Sequence, residues 1–427
     1  MLLSGPFRVR PFYYLQRMNA PSQRYYSLDV FRGATVAFMI LVNNQPGAAY
    51  GPLDHAPWHG LTPTDLVFPF FLFAVGNALA FVMPRFENQG TKAFMRKVIK
   101  RTLLIFVIGF LLNWFPFFHW DHNRLIPTGW EYLNDKGELA GIRVMGVLQR
   151  IALCYGLGAI IVYFAKLRGA FFLAGCMLLL YWAWCLLLGT PGDPFSIEGF
   201  FGTAVDKAVF GPVHMYHGEG VAFDPEGIAS TLPAIVNVIL GYFAGTYLQK
   251  KGKSYETLTH FFVAAIILLF AGYLWGTIFP INKKIWTSSY VLVSAGWALC
   301  CLSLLIYFIE FRGATGSPEE GAGRGAAGSS TGAVAKPGWS RFCDVFGKNP
   351  LFIFIVAGAF PRLVRLIRWP DGSGGYTNPM AWFLHKICDP LSGGRAENAS
   401  LIYAGTLIIL YWLLAWTLDR KRIYIRV

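Results

Sequence analysis

Residues 55–73, HAPWHGLTPTDLVFPFFLF, place ionisable and aromatic side chains just before a long apolar run. His55, Trp58, His59 and Asp65 all fall in this stretch. An imidazole is the usual general base near neutral pH. Ionisable groups at the edge of a membrane core are costly and usually mark a functional site. His55 is therefore the first candidate for chemistry.

The spacing of His55 and His59 also resembles that of a metal-binding pair on one helical face. A third acidic or histidine ligand does not occur at a recognised motif spacing, and Pro57 and Gly60 disfavour one continuous helix here. We expect no metal at this site, and we interpret His59 as a polar residue at its rim.

The segment 29–45 carries two further polar groups. Asp29 and Arg32 lie three residues apart on one helical face, so we expect a structural ion pair. Asn43 and Asn44 lie at the other end of the segment. An asparagine there can end a helix, or it can face a reactive centre.

The motif RVMGVLQR begins at Arg143 and ends at Arg150, so both guanidinium groups face the same way on a helix. Arginine suits bidentate phosphate recognition, and Gln149 belongs to the same motif. The alternative is one arginine that anchors the chain at the membrane interface and one in a buried salt bridge.

Acidic residues also precede a later apolar run, in the motif Asp224-Pro225-Glu226-Gly227. Proline and acidic residues before an apolar run are common at the start of a helix. The same position suits contact with a polar substrate, so Glu226 is a candidate substrate-binding residue.

The composition indicates which elements position these side chains. The chain has 427 residues, of which 55% are hydrophobic and only 14% charged, whereas soluble domains carry about 25% charged residues. About ten apolar runs approach the roughly 20 residues that a membrane-spanning helix needs. We predict an all-α polytopic membrane protein, a bundle of about ten transmembrane helices. The predicted spans are 29–45, 64–83, 102–118, 144–165, 168–189, 228–248, 258–279, 287–309, 349–366 and 401–418.

Lysine and arginine concentrate in alternate connecting segments, such as 84–101, 249–257 and 419–427. The positive-inside rule places this set in the cytoplasm, and an even number of spans then places both termini there. This bias accounts for the net charge of +14. We therefore expect a lipid bilayer, and no nucleic acid, as a partner.

Lys283 and Lys284 are exceptions, because they lie in the opposite set of segments, at 280–286. Basic residues on that side suggest contact with an anion. A simple turn is the alternative.

The predicted organisation has four parts. They are a cytoplasmic N-terminal segment at 1–28, spans one to eight at 29–312, a flexible cytoplasmic linker at 313–338, and spans nine and ten with a basic tail at 339–427. The linker is rich in Gly, Ala and Ser and cannot bury enough apolar surface to fold. The seven cysteines show no paired spacing, so we expect no disulfide framework.

Taken together, these motifs resemble the heparan-α-glucosaminide N-acetyltransferase family, including its shorter bacterial members. The matching segments run in family order along the chain. They are SLDVFRG, VN at 42–43, HAPWHGLTPTDLVFPFFLFAVG, RVMGVLQRIALCY, FDPEGIASTLPAIVNVILGY, PINKKIWTSSYVL and GKNPLF.

The resemblance implies an enzyme that takes acetyl from cytosolic acetyl-CoA and delivers it to an amine across the membrane, a terminal glucosamine in the lysosomal members. The active histidine of the family then falls at His55, and its asparagine after valine falls at Asn43. We expect a short member of the family without the luminal N-terminal extension of the eukaryotic enzyme, and His59 occupies a position where that enzyme has asparagine. We expect a bacterial cytoplasmic membrane as its location and leave a homo-oligomer open.

On this reading, acetyl-CoA is the acyl donor and no metal takes part. The residues expected to meet the donor are Arg143, Gln149, Arg150, Lys283 and Lys284. Those expected to meet the acceptor are Trp58, Asp65 and Glu226. An acetyl-histidine intermediate and direct transfer both stay open. The alternative function is a transporter of a sugar or other polar solute, because buried charges also mark transport paths.

Overall fold

A computed structural model describes residues 25–121, 123–133, 137–312, 337–372 and 374–425. These residues are mostly helical, with three short antiparallel hairpins on connecting segments. The predicted all-α membrane class is therefore confirmed in its coarse form.

The predicted linker at 313–338 and the N-terminal segment at 1–28 lie almost wholly outside the described residues. The division of the chain into four parts stays a prediction.

The described residues contain thirteen α-helices. They are α1 (Tyr26–Asn43), α2 (Val67–Gln89), α3 (Thr91–Trp114), α4 (Val147–Leu188), α5 (Phe201–Phe210), α6 (Ile228–Lys251), α7 (Tyr255–Trp275), α8 (Ser288–Ile306), α9 (Gly338–Lys348), α10 (Pro350–Val364), α11 (Pro379–Phe383), α12 (Asp389–Leu391) and α13 (Ala396–Arg420). Of these, α5, α11 and α12 are short and lie on connecting segments.

The strands form three hairpins. They are β1 (Phe118–Asp121) with β2 (Arg124–Pro127), β3 (Glu131–Leu133) with β4 (Leu139–Gly141), and β5 (Trp369–Pro370) with β6 (Tyr376–Thr377). The sequence analysis predicted none of them.

Within the described ranges, six helices are long and apolar enough to cross a membrane. They are α2 with its preceding turn, α4, α6, α7, α8 with its continuation to Arg312, and α13. A seventh span results if α9 and α10, which meet at a 77° bend, are counted as one. The count of ten spans and the cytoplasmic termini therefore stay predictions.

Helix α4 is one element of 42 residues in which the sequence predicted two spans. At a rise of 1.5 Å per residue it would be about 63 Å long, twice the roughly 30 Å of a bilayer core. The chain breaks it at Lys166, whose φ of 55° lies in the left-handed region. The break falls in the predicted connection between the two spans, at 166–167.

Close helix crossings hold the bundle together around α2 and α1. A Cβ on Gly76 of α2 would lie 1.9 Å from the carbonyl oxygen of Val238 in α6, and a Cβ on Gly241 would lie 2.1 Å from that of Phe73. Gly33 of α1 packs in the same way on α9, where an added Cβ would lie 1.7 Å from the carbonyl oxygen of Cys343. Small residues that let two backbones approach are typical of helix packing in membranes.

Candidate active site

His55 lies on the loop between α1 and α2, beside a fixed carboxylate. Its Nδ1 is 2.7 Å from Oδ1 of Asp65, ten residues later in the chain. The Asp65 side chain is 2% exposed, whereas that of His55 is 43% exposed. A charge-assisted hydrogen bond of this length orients the ring and fixes its tautomer. With Nδ1–H donated to Asp65, the Nε2 lone pair is available as a base.

The local sequence fixes Asp65 before it meets His55. The second carboxylate oxygen of Asp65 accepts hydrogen bonds from the backbone N–H groups of Ala56 and Thr62, at 3.2 and 3.0 Å. Thr62 and Asp65 form a capping box on the turn that leads into α2. The hydroxyl of Tyr290, in α8, donates to the carbonyl oxygen of Asp65 at 2.6 Å. The loop and the start of the helix are therefore held as one unit.

Lys283 brings a cation to the same histidine from a distant part of the chain. Its Nζ lies 3.1 Å from Nδ1 and 3.4 Å from Nε2 of His55, and 3.6 Å from Oδ1 of Asp65. Burial lowers the pKa of Lys283, while the charge of Asp65 opposes that shift. The predicted phosphate-binding lysine is thus a direct neighbour of the catalytic candidate.

The turn that presents Lys283 is fixed by its own polar residues. The side-chain oxygen of Asn282 accepts a hydrogen bond from the backbone N–H of Ile285 at 3.0 Å, and its backbone N–H donates to the hydroxyl of Thr287 at 3.1 Å. The fully buried Trp286 donates its indole N–H to Asn237 at 3.0 Å. The structure therefore bears out the turn, which places Lys283 beside His55, while contact of this lysine with an anion stays a prediction.

His55 opens onto a cavity of about 260 Å³, called here the histidine cavity. Eight residues proposed from the sequence line it. They are Asn43, His55, Trp58, Asp65, Arg143, Glu226, Lys283 and Lys284. Asn44 is different, because it donates its side-chain amide to the carbonyl oxygen of Ile40 at the end of α1.

Arg143 is held by carboxylates in this cavity. Its guanidinium bonds Asp224 at 2.6 and 3.1 Å and also donates to Glu226, and it lies 4.8 Å from the ring centre of Tyr216. Burial alone would lower the pKa of Arg143, but these carboxylates raise it. The geometry makes Arg143 a fixed part of the cavity wall.

The rim of the histidine cavity combines aromatic rings with charges. Lys284 donates to Glu219 at 2.6 Å and to the carbonyl oxygen of Pro57 at 2.7 Å. Trp58, which also lines the cavity, donates its indole N–H to the carbonyl oxygen of Phe195 at 2.9 Å. His59 lies beside Trp58 and contacts the amide of Asn282 at 3.3 Å.

Gln149 and Arg150 lie behind this wall. Gln149 is 1% exposed and donates to the carbonyl oxygen of Val144 at 2.9 Å. Arg150 is fully buried, donates to Gly227 and Ser230 of α6, and lies 5.0 Å from the ring centre of Trp286. The structure thus places both among packing contacts, and neither lines the histidine cavity.

A second cavity, of about 690 Å³, follows the same helices to their other end. It is called here the basic cavity, because Arg32, Arg101 and Lys348 line it, along with Asp29 and Asp344. Arg32 donates to Asp29, and Lys348 lies 3.1 Å from Asp344. The predicted ion pair of Asp29 and Arg32 therefore lines a cavity.

The two cavities meet at Phe71 of α2 and Phe354 of α10, which line both. The turn before α2 contributes Asp65 to the first cavity, and α2 contributes Val67 to it and continues to Val82 in the second. The stretch from Asp65 to Val82 rises about 25 Å, close to the thickness of a bilayer core. The cavities are therefore stacked along the bundle.

No protein-family model matches the chain. Two curated proteins are similar to it. The heparan-alpha-glucosaminide N-acetyltransferase of Homo sapiens is 29% identical over 358 residues, which cover 71% of this chain and 51% of that protein. The enzyme of the same name from Mus musculus is 27% identical over 375 residues, which cover 74% and 54%. These two relatives support membership of the chain in the heparan-α-glucosaminide N-acetyltransferase family.

The family resemblance drawn from the motifs is therefore confirmed. The chain spans about half the length of the curated heparan-α-glucosaminide N-acetyltransferases that it matches. Within the residues that the structure describes, no cluster of three or more His, Cys, Asp or Glu side chains is arranged to hold a metal ion.

Several residues of the two cavities were missed by sequence reasoning. Phe71 lies within a motif quoted for the heparan-α-glucosaminide N-acetyltransferase family, and Lys348 lies within another, GKNPLF. Arg101 ends the basic segment 84–101, which was interpreted only as a topology signal. Tyr216 and Glu219 lie in the segment 190–227 and carried no recognisable pattern.

Proposed function

We propose that the chain is a transmembrane acetyltransferase that moves acetyl from cytosolic acetyl-CoA to the amine of an amino sugar across the membrane. The observation that carries the proposal is the His55–Asp65 pair in a cavity that shares Phe71 and Phe354 with a second, basic cavity. A reactive centre that can be reached from both ends of the helix bundle suits a donor and an acceptor that lie on opposite sides of the membrane. The similarity to two N-acetyltransferases supports the same conclusion.

His55 is the proposed acid–base or acyl-accepting group. In direct transfer, the amine nitrogen attacks the thioester carbonyl carbon, Nε2 takes the amine proton, and the C–S bond breaks. The CoA sulfur leaves as thiolate and is then protonated, so the products are an acetamide and CoA. In the two-step route, Nε2 itself attacks the thioester, and the amine later takes acetyl from the ring. General-base assistance of this kind contributes about 10²- to 10⁴-fold to a rate.

Asn43 is proposed to stabilise the oxygen that becomes negative during attack. Its side chain lines the histidine cavity, and Asn44 already serves the end of α1. Removing one such hydrogen-bond donor costs other acyl-transfer enzymes about 3 kcal/mol of transition-state stabilisation.

The donor is proposed to enter through the basic cavity. Its three cations suit the phosphates of CoA, because lysine and arginine form strong charge-assisted hydrogen bonds with phosphate oxygens. Arg101 lies 4.8 Å from the ring centre of Tyr155, beside this cavity. The thioester arm would then run along α2, between Phe71 and Phe354, to His55. The proposed phosphate contacts thus move from Arg143 and Arg150 to this set.

The acceptor is proposed to occupy the histidine cavity. Trp58 and Tyr216 provide aromatic surfaces against which the apolar face of a sugar ring can pack. Glu219 and Glu226, which also bind Lys284 and Arg143, can accept hydrogen bonds from the amine and hydroxyl groups of the sugar. Asp65 is occupied by His55, so its proposed role changes from contacting the acceptor to orienting the base.

The sidedness of the reaction can be tested in proteoliposomes. Acetyl-CoA labelled in the acetyl group is supplied outside, and glucosamine is trapped inside. We expect labelled N-acetylglucosamine inside and an equal amount of free CoA outside. Product formed only when both substrates are on one side would contradict transfer across the membrane. Uptake of unmodified glucosamine without release of CoA would favour the transporter.

A further inference from the structure

The chain leaves α13 through a tight helix ending. Arg422 has a φ of 56°, and its backbone N–H donates to the carbonyl oxygen of Asp419 at 2.9 Å. The backbone N–H of Ile423 donates to the carbonyl oxygen of Leu418, also at 2.9 Å. This pair of bonds is a Schellman motif without its usual glycine. Because a residue with a side chain rarely adopts this conformation, we expect the next residues, 423–425, called here the strap, to be held by contacts of their own.

One buried side chain fastens the strap to the bundle. Asn349, between α9 and α10, is fully buried. Its Nδ2 donates to the carbonyl oxygen of Ile423 at 3.0 Å, and its Oδ1 accepts a hydrogen bond from the backbone N–H of Ile425 at 2.8 Å. The two bonds lie on either side of Tyr424 along the chain, so they fix the backbone that carries its ring. Since a buried amide without partners is costly, the strap and the bundle are held together.

The strap also contributes side chains to the basic cavity. Tyr424 and Ile425 line this cavity beside Lys348. The Tyr424 hydroxyl donates to Oδ1 of Asp419 at 3.1 Å, and the Nζ of Lys348 lies 2.9 and 2.8 Å from the two oxygens of the same carboxylate. Asp419 therefore places an aromatic ring next to a cation. Tyr424 is 41% exposed, so its ring has surface that no protein contact covers.

We propose that the strap forms one wall of the donor site and that the ring of Tyr424 packs against the adenine of CoA, while Lys348 faces a phosphate. This inference rests on the proposed acetyl transfer, because it assigns the nucleotide end of the same donor. The thioester must reach His55, so the nucleotide occupies the part of the basic cavity beyond Phe71 and Phe354. Tyr424 lines that cavity and not the histidine cavity.

The ring adds to this cavity what its cations cannot supply. Lys348, Arg32 and Arg101 can bond the phosphate oxygens of any ligand, because such bonds depend on charge and not on a base. An aromatic face stacks on a nucleobase and contributes to affinity only when a base is present. The volume of about 690 Å³ also falls within the range of small-molecule sites. The wall therefore suits a nucleotide better than a simple phosphate.

The experiment measures binding to the full chain in nanodiscs by calorimetry. The probes are CoA, its nucleotide part adenosine 3′,5′-bisphosphate, and inorganic pyrophosphate, which has charge but no base. Tyr424→Ala removes the ring, Tyr424→Leu replaces it with apolar bulk, and Tyr424→Phe removes only the hydroxyl. Ile423→Ala is the matched control, because Ile423 belongs to the strap but is not among the described residues that line the basic cavity. Acetyl transfer and melting temperature are measured in parallel.

We expect Tyr424→Ala and Tyr424→Leu to raise the Kd for CoA and for adenosine 3′,5′-bisphosphate by about tenfold, as for the loss of one stack between a base and an aromatic ring. The Kd for pyrophosphate should stay constant, because the cations are intact. Tyr424→Phe and Ile423→Ala should bind all three probes as the unaltered chain does.

Unchanged affinity for CoA in both folded variants, Tyr424→Ala and Tyr424→Leu, would overturn the inference, and retained transfer would then leave the proposed function in place. An equal loss of affinity for pyrophosphate would also overturn it, because the change would lie in the cations and not in a contact with the base. If CoA and the nucleotide bind in the expected way but the unaltered chain transfers no acetyl, the strap stands as the wall of a nucleotide site and the proposed function fails.

Discussion

At the scale of single residues, the proposed reactive centre combines a pair that is local in sequence with a partner that is remote. His55 and Asp65 are ten residues apart within one motif, so their types and spacing made both visible as site candidates. Their direct bond was not predicted, because Asp65 was interpreted as contacting the acceptor. Lys283 lies 228 residues from His55, and only the folded turn at 280–287 brings it to the ring. Its positive charge made Lys283 unusual among the segments of that set, but the sequence did not show that Lys283 contacts His55.

Asp65→Asn tests the orienting role at this scale. The amide keeps the shape of the side chain, but it can donate a hydrogen bond to Nδ1 as well as accept one. Part of the population should therefore adopt the tautomer that carries the proton on Nε2, where the ring can no longer act as a base. We expect kcat to fall by about 10²-fold or more, with the KM for acetyl-CoA little changed. Steady-state kinetics of the purified variant measure both quantities. A wild-type kcat would contradict the pairing of Asp65 with the base.

At the scale of elements, hydropathy located the most apolar helices, because apolar runs near 20 residues have few alternatives to a helix in a bilayer. It did not predict α5 or α9, and it placed the start of α3 at residue 102, whereas that helix begins at Thr91. It failed at the hairpins between β1 and β4, where short strands depend on pairing with each other. It also missed the 77° bend at which α9 meets α10, since hydropathy carries no information on the direction in which one helix follows another.

Gly76 and Gly175 form a matched pair for testing the close helix crossing. An alanine Cβ at position 76 would lie 1.9 Å from the backbone of α6, whereas position 175 in α4 has open space around it. We expect Gly76→Ala to destabilise the fold by about 1–3 kcal/mol and Gly175→Ala to leave stability equal or slightly raised. Thermal unfolding in detergent measures the difference. Equal melting temperatures for the two variants would contradict the crossing.

Asp206 of α5 allows a pH-dependent test of how α5 supports the start of α6. Its carboxylate accepts a hydrogen bond of 2.8 Å from the backbone N–H of Ile228, at the start of α6. Burial raises the pKa of Asp206 from its usual value to about 7. The folded chain therefore holds this proton more tightly than the unfolded chain, and the associated stability is lost as the pH rises through about 7.

We expect Asp206→Asn to weaken the fall in melting temperature between pH 6 and pH 8, because the amide stays neutral and its oxygen can still accept from Ile228. Melting curves of the two proteins at several pH values check this. If both proteins lose the same stability over that interval, Asp206 does not titrate as stated.

At the scale of the whole molecule, the two stacked cavities define the route that the account requires. The basic cavity was not predicted as a site, since Arg32, Arg101 and Lys348 come from three segments that were interpreted as an ion pair, a topology signal and a family motif. His55, Glu226 and Lys283 fall in the set of connecting segments that is poor in basic residues, and all three line the histidine cavity. The side of the membrane that this end of the bundle faces stays a prediction.

Arg101→Gln and Arg150→Gln separate donor binding from packing. Arg101 lines the basic cavity, so its loss should raise the KM for acetyl-CoA by about tenfold, as for a charge-assisted contact, with kcat nearly constant. Arg150 is fully buried against α6, so its loss should lower the melting temperature instead. Kinetics and thermal unfolding of both variants check the two expectations. An unchanged KM in Arg101→Gln would place the donor phosphates elsewhere.

The central claim is that His55 performs the transfer, and its most direct test is acetyl transfer by His55→Ala with His59→Ala as control. His59 lies on the same loop but contacts Asn282 instead of the His55–Asp65 pair, so its loss should preserve much of the activity. We expect His55→Ala to stay folded in the membrane and to bind acetyl-CoA, yet to transfer acetyl at the background rate. Transfer by His55→Ala at close to the wild-type rate would contradict the account.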